Sequence, residues 1–324
     1  LNEAFFNVAF EDQANPDLRI GRISMLTKNS DSVSPTSNKR NFSLLGDAAL
    51  QLNYPKYEVQ TTDINGIDLD SGDEILVKSL EEVTVGGFIS NTDGNVLEDF
   101  NGFVYPSVFD KRSTITTLNN DNAASDYTFD VFKNLIYRGK ASVENGQFEF
   151  SFVVPRDIDF DIGSGRISYY CVDGDDDGHG HTEAFTIGDV LEDAELNEVG
   201  PDIQLFMNDS TFVFGGTTDE NPLIFARLFD ENGINTVGNG IGHDLKAVLD
   251  ENTNDPIILN DNYESDLNTY KSGEVRYQLT KLSEGIHTLS LKVWDVHNNS
   301  SEAFTEFMVS QGAELALDHV LNYP

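Results

Sequence analysis

Asn41-Phe42-Ser43-Leu44-Leu45-Gly46-Asp47-Ala48-Ala49-Leu50-Gln51-Leu52-Asn53-Tyr54-Pro55 is the stretch at which the chain changes character. Ahead of it, apolar residues recur at helical spacing. Phe5, Phe6, Ala9 and Phe10 mark one helix, and Ile20, Ile23 and Thr27, with Leu26 beside them, mark a second. Asn15-Pro16-Asp17 stops the first helix and restarts the second, with Asp17 as N-cap. Residues 29–40 read as loop, and Phe42 to Leu45 predicts a short strand. Beyond Pro55 the apolar period falls towards two, and Gly, Asn and Asp turns punctuate short strands.

Tyr57, Val59 and Thr61 open this β region, with a turn at Asn65-Gly66. Glu82 to Ile89 predicts a strand with a bulge at Gly86-Gly87, and Asp93-Gly94 predicts a hairpin. Strands are expected at Gly102 to Phe109, Thr114 to Leu118 and Tyr127 to Val131. Lys140 to Val143 and Gln147 to Val154 flank Asn145-Gly146, the strongest hairpin signal in the chain. Gly165 to Val172 is a further strand, running into an acidic loop. Residues 188–201 are acidic, end in Gly200-Pro201 and read as a linker. A second set of strands follows at Ile203 to Met207, Thr211 to Phe214, Pro222 to Phe229, Leu245 to Leu249, Ile257 to Leu259 and Glu274 to Leu279. Leu289, Leu291 and Val293, then a turn at Asp295 to Ser300, then Ala303, Thr305, Phe307 and Val309, predict the final hairpin. Seven or more short strands in about 110 residues fit an immunoglobulin-like sandwich. The fold expected is mainly β: a short N-terminal helical remnant (1–55), a β-sandwich (56–195), an Ig-like sandwich (196–312) and a linker (313–324). The chain's last four residues, Leu321 to Pro324, repeat Leu52 to Pro55.

The chain has 324 residues, 39% of them hydrophobic, which is enough for packed sheets. Acidic residues outnumber basic ones by 56 to 20, a net charge of −36. That charge repels nucleic acid and anionic membrane surfaces. Cys171 stands alone, which excludes an internal disulfide and a multi-cysteine zinc site. No run of 18 apolar residues exists and no signal peptide is visible at Leu1. Because the chain opens inside a helix, it is expected to be a piece of a longer precursor.

At the seam, residues 41–55 resemble the closing segment of the gingipain-like (family C25) cysteine peptidase domain, in the version found as the type IX secretion system sortase of Bacteroidetes. That family usually has Pro where this chain has Ala48. Leu1 to Lys28 resembles the last helices of the same caspase-like domain. Asp99-Phe100-Asn101-Gly102, Val104-Tyr105-Pro106, Phe109-Asp110-Lys111 and Phe150 to Pro155 are similar to the sortase's first β-module. Phe212 to Pro222, Asn232 to Asp244 and Trp294 to Ser301 are similar to its second, and Val320 to Pro324 to the opening of a C-terminal sorting domain. The family's catalytic His and Cys lie ahead of the seam, and nothing in this chain corresponds to them. The resemblance implies a non-catalytic scaffold and interaction region of a secreted, cell-surface peptidase that processes C-terminal sorting signals of cargo. Its implied partners are its own upstream peptidase domain and outer-membrane secretion components, with no nucleic acid and no membrane span.

Asp173, Asp175 and Asp177 stand at alternate positions of Asp173-Gly174-Asp175-Asp176-Asp177-Gly178, as calcium ligands do in an EF-hand loop. The twelfth position, where that loop needs Glu, holds Ala184. Calcium here, a plain solvated acidic hairpin, and zinc held by His179, His181 and Cys171 are the alternatives. Cys171 reads as a small buried hydrophobe; a nucleophilic role would need His179 or His181 as base. Asp68-Leu69-Asp70-Ser71-Gly72-Asp73 is a second acidic loop that turn chemistry explains. Gly238-Asn239-Gly240-Ile241-Gly242 matches part of a dinucleotide fingerprint but has His243 where the third glycine belongs, and reads as a conformation-fixing loop. Two rival functions remain. A calcium-dependent adhesin or glycan-binding array would show aromatics on an exposed face. A hydrolase would show a cleft with two convergent carboxylates.

Overall fold

The computed structural model describes residues 2–10, 18–30, 41–120, 125–194, 197–236 and 243–310. The Asn15-Pro16-Asp17 stop, most of the 29–40 loop, the Gly238–Gly242 run and the tail from 311 lie outside them. The chain divides into two compact units, Leu1–Lys56 and Tyr57–Pro324.

The first unit carries α1 (Asn2–Phe10) and α2 (Ile20–Asn29). Ala9, Leu18 and Ile23 are its buried centre, flanked by Phe5, Val8, Leu26 and Leu52. The seam satisfies the N-terminus of α2. Ile20 and Gly21 donate their amides to the carbonyls of Leu50 and Ala48, at 2.9 and 3.0 Å. The strand expected at Phe42 to Leu45 does not form: these residues are exposed and pair with no strand. Alternation without a neighbouring ladder does not make a strand.

The second unit begins with β1 (Tyr57–Ile64), β2 (Ile67–Asp68), β3 (Leu76–Ser79), β4 (Glu82–Ser90), β5 (Gly102–Phe109), β6 (Ser113–Thr116) and β7 (Thr128–Val131). It continues through β8 (Leu135–Arg138), β9 (Ala141–Val143), β10 (Gln147–Val153), β11 (Gly163–Ser164), β12 (Arg166–Val172), β13 (Asp177–Thr182) and β14 (Thr186–Val190). One nine-stranded sheet runs β10-β4-β1-β13-β12-β5-β8, with β2 on β1 and β9 on β5. A three-stranded sheet, β11-β14-β3, and a separate β6-β7 ribbon complete the set. The long sheet folds over itself. Phe148, Phe150 and Phe152, all buried on β10, face Tyr169 of β12 and Tyr137 of β8, which lie at the other end of the hydrogen-bonded order. The Tyr137 ring is 4.9 Å from Phe152, and Tyr169 is 5.8 Å from Phe148.

The Asn145-Gly146 turn has both residues at positive φ, 51° and 74°, as a two-residue hairpin turn requires. Only Glu144 and Gln147 then bridge, because β9 goes on to pair with β5 and β10 with β4. The turn thus joins the two layers instead of making a hairpin ladder. The bulge expected at Gly86-Gly87 lies on the strand opposite them. Thr61 pairs with Gly87 and Asp63 with Gly86, leaving Thr62 as the extra residue. After Asp93-Gly94 the chain returns only as far as a Ser90–Val96 bridge.

The second sandwich comprises β15 (Asp202–Met207), β16 (Gly216–Thr218), β17 (Leu223–Phe229), β18 (Lys246–Leu249), β19 (Ile257–Ile258), β20 (Tyr263–Ser265), β21 (Ser272–Gln278), β22 (Gly285–Trp294) and β23 (Ser300–Val309). Its sheets are ordered β15-β17-β21-β20 and β16-β23-β22-β18-β19. Setting aside the short edge strands β16 and β19, the remaining seven, lettered in sequence, form the ABED and CFG sheets of the immunoglobulin fold. The β22-β23 hairpin meets expectation: Leu289, Leu291, Val293 and Phe307 are fully buried. Thr211 to Phe214 is not a strand. Asp209 accepts the amide and hydroxyl of Thr211, at 2.8 and 2.5 Å, and this turn leaves Val213 and Phe214 exposed. The short strand after it, β16, instead pairs parallel with β23.

Strand alternation predicts opposite outcomes for two phenylalanines on β23. Phe307→Ala, at 0% exposure, should cost about 3–5 kcal/mol. Phe304→Ala, at 55% exposure, should stay within about 0.5 kcal/mol. Urea unfolding followed by the emission of Trp294 on β22 measures both, and equal costs would contradict the facing.

Candidate functional site: the joint and the acidic loop

The two sandwiches meet along a joint built by four segments. From the first sandwich come the β8–β9 region and residues 153–157 after β10. From the second come the loop around Thr269 and Tyr270 and the turn after β22. Tyr270 packs against the first sandwich's core and donates its hydroxyl to Glu82, at 3.1 Å. Burial, with the Glu82 charge beside it, pushes the Tyr270 phenol up to about 12. Asn268 donates its amide to the Lys140 carbonyl at 2.9 Å, and its side-chain oxygen accepts the Ser142 amide at 2.7 Å. Arg156 donates its amide to the Val296 carbonyl at 2.9 Å. Asp157 accepts Asn298 Nδ2 at 2.6 Å on one oxygen and meets His243 Nδ1 with the other. The His243 ring lies 4.3 Å from that of Trp294, and Lys292 Nζ sits 4.5 Å from the Trp294 ring. Ile136, Tyr137, Ile234, Tyr263 and Val296 are the buried apolar side chains of this region.

Two buried carboxylates cap turns at this end of the second sandwich. Asp230 accepts the amides of Asn232 and Gly233, at 2.8 and 3.3 Å. Asp295 accepts the Asn299 amide at 2.7 Å. Burial raises the Asp230 pKa, and the Asp295 charge adds to the rise.

The sequence-predicted loop joins β12 to β13. Asp173 Oδ1 accepts the amides of Asp175 and Asp176, at 3.0 and 2.9 Å. Asp176 accepts the hydroxyl of Tyr57, at 3.2 Å, and Asp177 that of Tyr170, at 3.5 Å. Among the described residues, no three His, Cys, Asp or Glu side chains gather as a metal would need. The loop is a turn closed by its own carboxylate, and it flows into strand sooner than its composition suggests. Asp177 to Thr182 forms β13, paired with β12 and, in parallel, with β1. A Cβ on Gly180 would collide with the Val59 carbonyl, so this strand needs glycine to lie against β1.

That strand separates the residues of the zinc and nucleophile alternatives. Cys171 is fully buried, whereas His179 and His181 are exposed. Burial pushes the Cys171 thiol up to about 12, the opposite of an activated nucleophile. The Asp68 loop is a short 3-10 turn in which Asp68 accepts the Asp70 amide at 2.8 Å.

Both rival functions have a counterpart on the surface. Phe103 and Tyr170 are exposed and Tyr105 is half-buried beside Tyr170, with ring centroids 6.1 Å apart. Lys140 Nζ lies over the Phe103 and Tyr105 rings at 4.9 and 5.5 Å. An open groove of about 780 Å³ runs over Gly86 and Gly87 and is lined by Asp63, Glu144 and Glu149. Glu144 and Glu149 are exposed, without the desolvation that turns a carboxyl into a general acid.

No protein-family model and no curated protein matches the chain. Among solved structures, the chain is similar to dimeric latent PorU from Porphyromonas gingivalis: 30% identity, TM-score 0.51, over 94% of this chain and 29% of that one. The chain therefore spans less than a third of PorU's length. Fibronectin(III)-like modules of Clostridium thermocellum CbhA match at 12% identity and TM-score 0.22, over 82% of this chain and 100% of that one. The Escherichia coli adhesin FdeC matches at 12% and 0.22, over 78% and 64%. At those scores neither bears on arrangement or function.

The environment of Cys171 predicts that the native chain resists thiol reagents at mildly alkaline pH and reacts only once unfolded. Ellman's reagent with and without denaturant measures this, and rapid labelling of the native protein would contradict it.

Proposed function

We propose that this chain is the non-catalytic scaffold of a sortase-like, gingipain-type cysteine peptidase of the cell surface. The observation that carries the reading is its similarity, over 94% of its length, to a 29% share of PorU. In this reading residues 1–55 belong to the end of the peptidase domain, 56–195 and 196–312 are its two bracing sandwiches, and 313–324 lead to a sorting domain. The parent would cleave sorting signals of secreted cargo, and the sandwiches would hold its catalytic domain towards outer-membrane partners.

The first unit supports this assignment. Among the described residues, its hydrophobic cluster holds Ala9, Leu18 and Ile23, a small core for independent folding. Phe6, Phe10, Met25, Leu45 and Leu50 remain exposed, a surface suited to packing on further polypeptide of the same domain. The inert setting of Cys171 agrees with chemistry located elsewhere.

The exposed Phe103 and Tyr170, with the half-buried Tyr105 beside them, favour a second reading, a calcium-dependent adhesin or glycan-binding array. Lys140 already covers two of these rings, which weighs towards the scaffold. Calcium at Asp173, Asp175 and Asp177 is a proposal of its own, resting on their alternation. It requires Asp173 to release two amides, and a melting temperature raised by millimolar calcium and restored by Asp175→Asn would support it. Identical melting with calcium and with chelator would end it.

The purified chain is expected to leave a sorting-signal peptide intact over hours. Turnover that disappears in Cys171→Ala would overturn the non-catalytic assignment. The gene's sequence ahead of Leu1 tests the parent: a Cys and a His at caspase-like strand ends are expected there, and a precursor without them would remove the peptidase from the account.

A further inference from the structure

We propose that the joint between the sandwiches is an acid-released latch, with the buried imidazole of His297 as its proton-sensitive part. This goes beyond the scaffold reading and does not depend on it, since it concerns only two packed sandwiches. His297 is 7% exposed and lies between the two residues of its turn that grip the first sandwich. On one side Val296 accepts the Arg156 amide; on the other Asn298 donates to Asp157. The Nδ1 atom of His297 is buried with no hydrogen-bond partner. A proton added there finds no acceptor on the protein while the joint is closed.

The charged groups around His297 are Asp295 of its own turn and Arg156 of the first sandwich. Asp230 lies beyond Asp295, and Asp157 with His243 forms the neighbouring clamp. Burial holds the His297 pKa below the usual histidine range; Asp295 pulls it back up, and Arg156 adds to the depression. The closed joint therefore favours the neutral ring, and the open joint, with the ring in water, takes up a proton near the ordinary value of about 6.5. The closed form keeps its full advantage above that pH and loses it as pH falls towards the lowered pKa. His243 faces the same clamp, meeting Asp157 through Nδ1.

Trp294, the chain's one tryptophan, sits beside His243 in this joint and reports on it. The test follows Trp294 emission and far-UV circular dichroism of the whole chain from about pH 8 to about pH 4.5. The emission maximum should move to longer wavelength as pH falls below about 6.5, while the strand signal stays constant. His297→Asn should lose the shift. His243→Gln and Asp157→Asn, which keep His297 and weaken the clamp, should show it at higher pH. An emission maximum that does not move, a shift retained in His297→Asn, or a shift that coincides with loss of strand signal would overturn the latch. If His297→Asn does not fold, the clamp variants decide: midpoints equal to that of the unaltered chain would overturn it.

Discussion

The amide of Arg156 on the carbonyl of Val296, with Asp157 held between Asn298 and His243, makes one body of two sandwiches. Each sandwich has its own cluster of buried side chains. What the joint adds is position. A hydrogen bond of this kind contributes only about 1 kcal/mol net, but leaving its groups buried and unpaired costs more. The joint is therefore either fully made or opened to water, and intermediate arrangements are penalised. Tyr270 reinforces this by placing an aromatic ring from the second sandwich on the core of the first.

The first sandwich could not present residues 153–157 at this place unless its long sheet folded over. β10 carries three buried phenylalanines to the tyrosines of β12 and β8, and its end delivers Arg156 and Asp157 to the joint. Folding a sheet this far calls for strands that tolerate close backbone approach. β13, with glycine at positions 178 and 180, provides one between β1 and β12. The Asp-Gly-His-Gly-His run is in this sense an architectural feature, in which exposed His179 and His181 alternate with glycines in close contact with β1.

Alternating apolar residues announced the strands they belong to. β5 was legible to the residue and β4, β10, β12, β15 and β17 to within one, because each has one face in a core; β22 and β23 were legible as a hairpin but begin three to four residues earlier than their alternation showed. β3, β8, β13 and β14 were not anticipated. They are short, or poor in β-branched residues, and exist because a neighbouring ladder accepts them. The reverse error, at Phe42 to Leu45 and Thr211 to Phe214, has the same cause: local pattern without an edge to join. The mainly-β fold with its helical start and Ig-like second sandwich was readable. The joint was not, since Asp157 lies 86 residues from His243 and 141 from Asn298. Only the polar crowding of Trp294-Asp295-Val296-His297-Asn298-Asn299 hinted at a buried polar joint there.

A scaffold transmits position only if its modules keep a fixed mutual orientation, and that is the central claim made for residues 57–310. Residual dipolar couplings of backbone amides at neutral pH test it most directly. The account predicts that one alignment tensor fits the amides of both sandwiches. Two tensors of different magnitude or orientation would show modules moving independently and would contradict it.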